Sequence, residues 1–372
     1  CSLRVELPAH TEPKTGRRRS SRRQTQKQTG VCSGTSSPPS LTVEPATGEV
    51  ELGFVQRRAL VLPEDSQTTK LESLGIETVQ GDITSFDDVR MACRDIQTVF
   101  HLGAAFQAGG PFTPEQYMHA NVQATFHVFE AARENAADVK HVVFSSTDAT
   151  LDKYPPTGNS EPITETTLSQ TQTDWYGFTK FLGERLADRF VRADGVPITV
   201  VRFPMVWGAG EFPDFAQFRM AYFIEYFRRR SDRHAIEMLA HLESLANGGN
   251  PLVIACDPNG RSWMKHTLDV RDIAHGFEQL LGSETTIGNT YQLGAPGPFT
   301  WREVVPAIAR ATGEQIVETR MAHMVPTYYE FDLSAAHSDF GYSPTHDWKS
   351  TLEEAIRFTT EGSDTIIPTV AS

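Results

Sequence analysis

Residues 140–147 read KHVVFSST, an apolar run that ends in three consecutive hydroxyl-bearing residues. Its apolar side chains fall on both alternating faces, as the strands of a buried parallel sheet require. Comparable short runs rich in Val, Ile and Phe occur at residues 57–62, 77–82, 96–105 and 196–203. Helical patterns separate them. This alternation predicts an α/β fold with a doubly wound, mostly parallel sheet.

Two of the helices carry specific start signals. Thr113 and Gln116 form a potential capping box for a helix over 114–135, and Pro114 stands at its first position. A second helix is predicted over 174–193. We expect its inward stripe to consist of Phe178, Leu182 and Leu186.

Beyond residue 204 the pattern becomes looser. Residues 250–281 predict a strand, a turn at DPNG and a helix that starts near Asp269, and residues 288–296 predict another strand. Residues 212–230 are aromatic-rich and helical in pattern. The part after residue 204 is therefore expected to form a smaller α/β lobe, with some segments returning to the main sheet.

Composition limits the function classes. The chain has 372 residues and a formal net charge of −13, which argues against a general nucleic-acid or anionic-membrane binder. No run of about 18 apolar residues predicts a membrane span. The four cysteines have neither metal-ligand nor disulfide-framework spacing, so we expect a reduced, cytoplasmic protein without a metal.

The first 50 residues differ from the rest. They hold eight Lys and Arg against four Glu and few apolar residues, which favours a disordered basic tail. RRRSSRRQTQK at 17–27 is also compatible with a nuclear or nucleic-acid patch.

Tyr176 and Lys180 lie four positions apart, so one helical face presents both. An ammonium near a phenol favours the phenolate, and a tyrosine with a lowered pKa can exchange a proton with an alcohol or ketone. The hydroxyls that end the strand at Thr147 would lie at the carboxyl edge of the sheet, where such folds bind ligands. The sequence alone also allows both residues to be a solvated helix face.

Several ordered motifs carry a family resemblance. From about residue 54 onward the chain resembles the extended short-chain dehydrogenases/reductases, which include NAD-dependent epimerases and dehydratases and the 3β-hydroxysteroid dehydrogenase-like enzymes. The motifs are GDI (81–83), VFHLGAA (99–105), HANVQAT (119–125), FSSTDAT (144–150), YGFTK (176–180), RFPMVWG (202–208) and WREVVPAIARATG (301–313).

The resemblance implies a Rossmann-like fold and a set of roles. Tyr176 would be the general acid/base, Lys180 would lower its pKa and bind the nicotinamide ribose, Thr147 would orient the substrate oxygen, and Asn121 would support the proton relay. The implied cofactor is NAD, with NADP as the alternative. Its contacts would be Asp82, Ile83, His101, Leu102, Gly103, Tyr176, Lys180, Pro204 and Val206. Asp148 and Arg261 are the implied substrate residues.

The same resemblance divides the chain. Residues 1–50 would be the tail, 51–204 a dinucleotide-binding core to which part of 262–293 returns, and 205–261 with 294–372 the substrate lobe. We expect a small-molecule substrate, no nucleic-acid or membrane partner, and homodimerisation as a possibility.

Two departures from the family pattern matter. Ala149 follows Asp148 where dehydratases place a second carboxylate, which counts against a 4,6-dehydratase. The first strand, glycine-rich turn and helix that hold the cofactor diphosphate are also missing or replaced before residue 54. Either residues 39–45 supply a substitute strand or the sheet has a gap at its centre. Weak NAD binding, or none, is expected.

Two function classes remain open. The first is an NAD(P)-dependent oxidoreductase or epimerase that acts on an alcohol or ketone of a sugar nucleotide or a steroid-like compound. Arg261 favours the sugar nucleotide, and the aromatic residues of 212–227, if they line a site, favour the steroid-like compound. The alternative is a non-catalytic dinucleotide-responsive or interaction protein, or an inactive truncated member without the glycine-rich loop.

Overall fold

The computed structural model describes residues 3–7, 56–65, 68–106, 112–155, 157–167, 172–208 and 210–362. Seven strands form one sheet: β1 (Leu3–Leu7), β2 (Gln56–Val61), β3 (Glu77–Gln80), β4 (Thr98–His101), β5 (His141–Thr147), β6 (Ile198–Phe203) and β11 (Thr290–Gln292). The remaining strands are β7 (Met205–Trp207), β8 (Leu252–Cys256), β9 (Met264–Lys265), β10 (Thr267–Asp269), β12 (Phe299–Thr300) and β13 (Ile316–Arg320).

The helices lie mainly between the strands. They are α1 (Thr68–Ser73), α2 (Phe86–Ala92), α3 (Pro114–Tyr117), α4 (Ala124–Glu134), α5 (Trp175–Asp194), α6 (Met220–Arg228), α7 (Arg233–Ala246), α8 (Val270–Leu280), α9 (Trp301–Thr312), α10 (Ser334–Phe340) and α11 (Trp348–Glu361). No helix in the described ranges is both long and apolar enough to cross a bilayer.

The large sheet has the order β11-β6-β5-β4-β1-β2-β3, and every pairing outside β1 is parallel. All seven residues of β5 are buried. Phe144 packs with Phe129 and Phe190 of α4 and α5, whereas Val143 packs with Phe277 of α8 on the other face. Helices therefore cover both faces of the sheet, and the predicted doubly wound α/β fold is confirmed.

The centre of the sheet differs from both expectations. The position between β2 and β4 is occupied by Leu3–Leu7, which pairs antiparallel with each neighbour. Leu3 lies opposite His101, so the strand begins at the carboxyl edge of β4. The candidate substitute at residues 39–45, and most of the predicted tail, lie outside the described residues.

The predicted helix over 114–135 forms, with an irregular middle. The capping box of Thr113 and Gln116 is present, and Pro114 opens α3. Between α3 and α4, residues Met118–Gln123 form a π-helix. Such segments insert an extra residue into the turn and occur mostly at functional sites. Asn121 lies within it.

Helix α5 begins where the sequence predicts, because the Asp174 side chain accepts a hydrogen bond of 2.8 Å from the Gly177 amide. The predicted inward stripe is wrong, since Phe178 is exposed. The buried face consists of Phe190 and six small or polar residues: Gly177, Thr179, Lys180, Gly183, Glu184 and Ala187. At Gly183 a Cβ atom would lie 2.8 Å from the Phe144 ring, so glycine permits this close packing.

The C-terminal lobe has its own core. The parallel pair β8–β13 packs with aromatic residues of the 212–227 segment, among them Phe212, Phe218, Phe223 and Phe227, each at most 1% exposed. This burial makes the aromatic stretch a packing element. Asp269 caps α8 through the Arg271 amide, as the predicted helix start near residue 269 requires.

Candidate active site

Three consecutive residues at the carboxyl end of β5 carry hydroxyls, and each hydroxyl forms a hydrogen bond with a different element. Ser145 donates to the His101 carbonyl of β4 at 3.0 Å, and Ser146 donates to the Glu184 carboxylate of α5 at 2.5 Å. Thr147 caps a short 3₁₀ turn over Asp148–Thr150 and accepts from the Ala149 amide at 3.2 Å. Thr147 is thus held at the edge where parallel sheets bind ligands.

Tyr176, in the first turn of α5, meets Thr147. Burial raises the pKa of Tyr176 to about 12, and the hydrogen bond with Thr147 acts in the opposite direction. Nearby charges also act on the phenol: Asp148 and Asp174 raise its pKa, and Lys153 lowers it. The phenol is therefore protonated at neutral pH in this structure and can donate a proton to an oxygen placed beside Thr147.

Lys180 is buried one turn further along α5. Its ammonium donates to the Ser145 carbonyl at 2.5 Å and lies 4.4 Å from the centre of the Phe144 ring. Burial lowers the pKa of Lys180 to about 7, while the charge of Glu184 raises it. The predicted effect of Lys180 on Tyr176 stays a prediction, because the leading charges on the phenol are other residues.

Asn121 links two parts of the site. Its side chain accepts from the Ala105 amide at 2.7 Å and donates to the Ala105 carbonyl at 2.9 Å and to Thr179 at 3.0 Å. Ala105 follows β4, and Thr179 lies between Tyr176 and Lys180. Because these bonds occupy the amide, Asn121 is placed to position the helix against the β4 loop; its predicted relay role stays a prediction.

The predicted cofactor residues lie along the carboxyl ends of β3, β4 and β6. The Asp82 carboxylate accepts two hydrogen bonds of 2.8 Å from Thr84. His101 ends β4, its Nε2 atom lies 3.0 Å from Thr125, and burial lowers its pKa to about 3. A histidine with such a pKa is neutral and packed, which does not suit a general base. The others are the buried Ile83, Gly103 and Pro204 and the half-buried Leu102 and Val206.

Arg261, one predicted substrate residue, is exposed. Its guanidinium lies 3.8 Å from the centre of the Tyr328 ring and donates to the Thr157 carbonyl at 3.4 Å. Asp148, the other, is buried and forms an ion pair of 2.6 Å with Lys153. The two predicted substrate residues therefore lie in quite different environments.

Sequence reasoning missed four charged residues around the site. Glu184 and Arg202 form a buried two-point ion pair, with distances of 2.9 and 2.8 Å, behind Ser146. Lys153 and Lys265 are buried near Asp148. One signal for Lys265 was available, because a lysine within the apolar context WMKHTL is unusual unless its ammonium has a specific role.

The described residues fit part of an NAD site. The Thr147–Tyr176 contact and Lys180 suit the nicotinamide end, and Asp82 at the end of β3 suits the adenine end. The diphosphate end differs. Beside β4 the sheet presents the antiparallel β1, and no helix N-terminus follows this strand within the described ranges. Among the residues described, the backbone donors that normally meet a diphosphate are therefore missing.

Comparison with known proteins agrees with this geometry. The profile of the NAD dependent epimerase/dehydratase family matches residues 54–294. The chain belongs to this family. The match starts after the position of the glycine-rich turn, at the same point where the sequence motifs begin.

Individual relatives are distant but cover most of the chain. An uncharacterised UDP-glucose epimerase of Bacillus subtilis is 25% identical over 278 residues, which cover 73% of this chain and 77% of the relative. A dTDP-glucose 4,6-dehydratase of Mycolicibacterium smegmatis is 24% identical, with coverages of 76% and 77%. A short-chain dehydrogenase/reductase superfamily protein of Agrobacterium tumefaciens, crystallised with NAD, superposes with a TM-score of 0.66 at 25% identity, covering 80% of this chain and 93% of that one.

Proposed function

We propose that this family member is an NAD(P)-dependent oxidoreductase or epimerase that acts on an alcohol or ketone carbon of a sugar nucleotide. The observation that carries the proposal is the position of Tyr176, in the first turn of α5, beside Thr147 at the carboxyl edge of β5. A substrate oxygen placed between these two hydroxyls could be oriented by one and protonated by the other.

The proton follows a simple route. In the reduction direction, the Tyr176 hydroxyl gives its proton to the carbonyl oxygen, and Thr147 holds that oxygen in place. In the oxidation direction, the phenolate takes the proton of the alcohol, which requires positive charge near the phenol to lower its pKa. The charge of Lys153 already lowers the pKa of Tyr176. We assign Lys180 the same role. NAD, when bound, accepts or returns the hydride.

We infer that the chain is not a dehydratase. Elimination of water needs an acid and a base beside the reacting carbons. Ala149 cannot provide either, and the Asp148 carboxylate is held in the ion pair with Lys153. The steroid-like alternative also loses support, because the aromatic segment that suggested it is core. The names of the relatives, a UDP-glucose epimerase and a dTDP-glucose dehydratase, favour sugar nucleotides.

The test is a turnover assay at high cofactor concentration. Purified full-length chain is incubated with UDP-glucose and about 10 mM NAD, and we follow UDP-galactose by chromatography and NADH by absorbance. Tyr176→Phe should lower turnover about a hundredfold or more, because the ring packs but the proton is lost. Lys140→Met is the matched control, since Lys140 is exposed and bonds the Ala137 carbonyl at the amino end of β5. Equal turnover of Tyr176→Phe and wild type would reject the assignment.

A further inference from the structure

Lys265 is a buried ammonium without a partner. Its residue is 5% exposed, and it forms no hydrogen bond or ion pair within the described ranges. Its nearest recorded contacts are the faces of two aromatic rings, Phe215 at 5.1 Å and Tyr329 at 6.0 Å from the ring centres. A buried charge is costly unless it is paired, and ring faces compensate only part of that cost. The site therefore lacks one anionic group.

A second ammonium lies close by. Lys153 is buried, pairs with Asp148 at 2.6 Å and lies 5.3 Å from the centre of the same Tyr329 ring. The charges of Lys153 and Asp148 act on Lys265 in opposite senses. Burial lowers the pKa of Lys265 to about 8, so it is mostly protonated at pH 7. Two ammonium groups thus share one carboxylate, which leaves a single uncompensated positive charge.

This cluster adjoins the catalytic pair. Asp148 follows Thr147 directly, and the charges of Asp148 and Lys153 both act on the Tyr176 phenol. The ring of the buried Tyr329 faces both lysines and so belongs to the same cluster. An anion bound here would therefore belong to the molecule whose oxygen reaches Tyr176.

We propose that Lys265, supported by Lys153, binds a carboxylate of the substrate while Tyr176 and Thr147 hold a neighbouring alcohol or ketone oxygen. This inference rests on the proposed function and names its substrate class: a hydroxy or oxo acid that is part of the sugar, as in a uronic acid. The charge count favours a carboxylate, because a single uncompensated charge balances a monoanion, whereas a diphosphate carries at least two negative charges.

The test measures binding, so it does not depend on turnover. The full chain is titrated with sodium benzoate at constant ionic strength, with neutral benzamide and sodium diphosphate as comparison probes. Binding is read from the thermal unfolding midpoint, each variant being referenced to its own ligand-free midpoint. We expect benzoate to stabilise the wild type and benzamide to have no effect. Lys265→Met should weaken benzoate binding about tenfold or more, and Lys140→Met should leave it unchanged.

A second variant tests the charge count. Asp148→Asn removes the shared carboxylate and leaves two uncompensated ammonium groups. We expect it to bind benzoate more tightly than wild type and to gain affinity for diphosphate. Loss of folding in Lys265→Met would not decide the question, because Asp148→Asn keeps both lysines and predicts a gain.

Three results would overturn the inference: no benzoate binding by wild type, benzoate binding that Lys265→Met leaves intact, or wild-type diphosphate binding that depends on Lys265 more strongly than benzoate binding does. Tyr176→Phe separates this inference from the proposed function. It should bind benzoate like wild type, because the phenol does not contact the anion. If Tyr176→Phe kept full turnover while benzoate binding still depended on Lys265, the catalytic assignment would fail and the carboxylate site would stand.

Discussion

The buried ion pair behind the catalytic strand permits a quantitative prediction. Glu184 and Arg202 are 2% and 3% exposed in their side chains, and Arg202 donates two hydrogen bonds to the carboxylate. Replacement of Arg202 by Met leaves the Glu184 charge buried, with the hydroxyls of Ser146 and Thr150 as its remaining hydrogen-bond partners among the described residues. Removal of one member of such a pair costs about 3–5 kcal/mol in unfolding free energy. That loss is a large part of the 5–15 kcal/mol typical of whole domains.

The assay is urea unfolding followed by tryptophan fluorescence. The set comprises Arg202→Met, Glu184→Gln and the double variant Glu184→Gln/Arg202→Met. The glutamine amide introduced by Glu184→Gln carries no charge, so the double variant leaves no member of the pair buried as an unpaired charge. We therefore expect the double variant to be about 1–3 kcal/mol more stable than the summed losses in unfolding free energy of the two single variants predict. Arg192→Met is the matched control, since Arg192 pairs with Asp188 at 2.6 Å on the same helix but is exposed.

The control should lose only about 0.5 kcal/mol. If Arg202→Met cost no more than Arg192→Met, the ion pair would not be buried as described.

A further result concerns catalysis. Glu184 accepts from Ser146 and Thr150, which flank Thr147, so variants that still fold should also lose turnover.

Two further predictions concern the region of helix α5, which carries the proposed catalytic residue Tyr176. Burial lowers the pKa of Lys180 to about 7. Between about pH 7 and 10 the Lys180 amine is therefore protonated in the unfolded chain but not in the folded chain. Because the unfolded state binds more protons in this range, the stability of the fold rises with pH. The unfolding free energy of wild type, measured with urea, should therefore increase relative to that of Lys180→Met from pH 7 to 9, by at most about 1.4 kcal/mol per pH unit. A difference between the two free energies that does not change with pH would contradict this. Asn121→Ala should destabilise the fold by about 2–4 kcal/mol, because the backbone amide and carbonyl of Ala105 both lose their partner. Thr179→Val removes a single hydrogen bond and should cost less. Equal losses in unfolding free energy would argue against the link between Asn121 and Ala105.

The sequence predicts the sheet well because each strand carries its own signal. Strand β5 is apolar on both faces and ends in hydroxyls, and helices α3 and α5 are capped by neighbours in the chain. Such local patterns do not depend on the rest of the fold. Thr147 and Tyr176 are expected at the same edge for the same reason, since a strand end and a helix start meet at one edge of a parallel sheet.

Non-local features were not predictable in this way. The inward stripe of α5 is wrong because the helix faces the end of β5, where close approach requires Gly183 and the charged network requires Glu184. Lys265 comes near Asp148 only after more than one hundred residues of intervening chain have folded. The antiparallel strand at the sheet centre comes from the first few residues, and no local pattern indicates this pairing.

The central claim is the proposal that Thr147 and Tyr176 act with NAD although the described residues supply no diphosphate cradle. Its most direct test is titration of the full chain with NADH, followed by the cofactor's fluorescence, in wild type and Lys180→Met. If the whole chain lacks two charged hydrogen bonds to the diphosphate, at about 1.5–3 kcal/mol each, binding should be weaker by on the order of a hundredfold to ten-thousandfold. We predict saturation only at about millimolar NADH, and weaker still in Lys180→Met. Micromolar saturable binding would show that a diphosphate cradle exists, and no saturable binding at about 10 mM would contradict an NAD-dependent function.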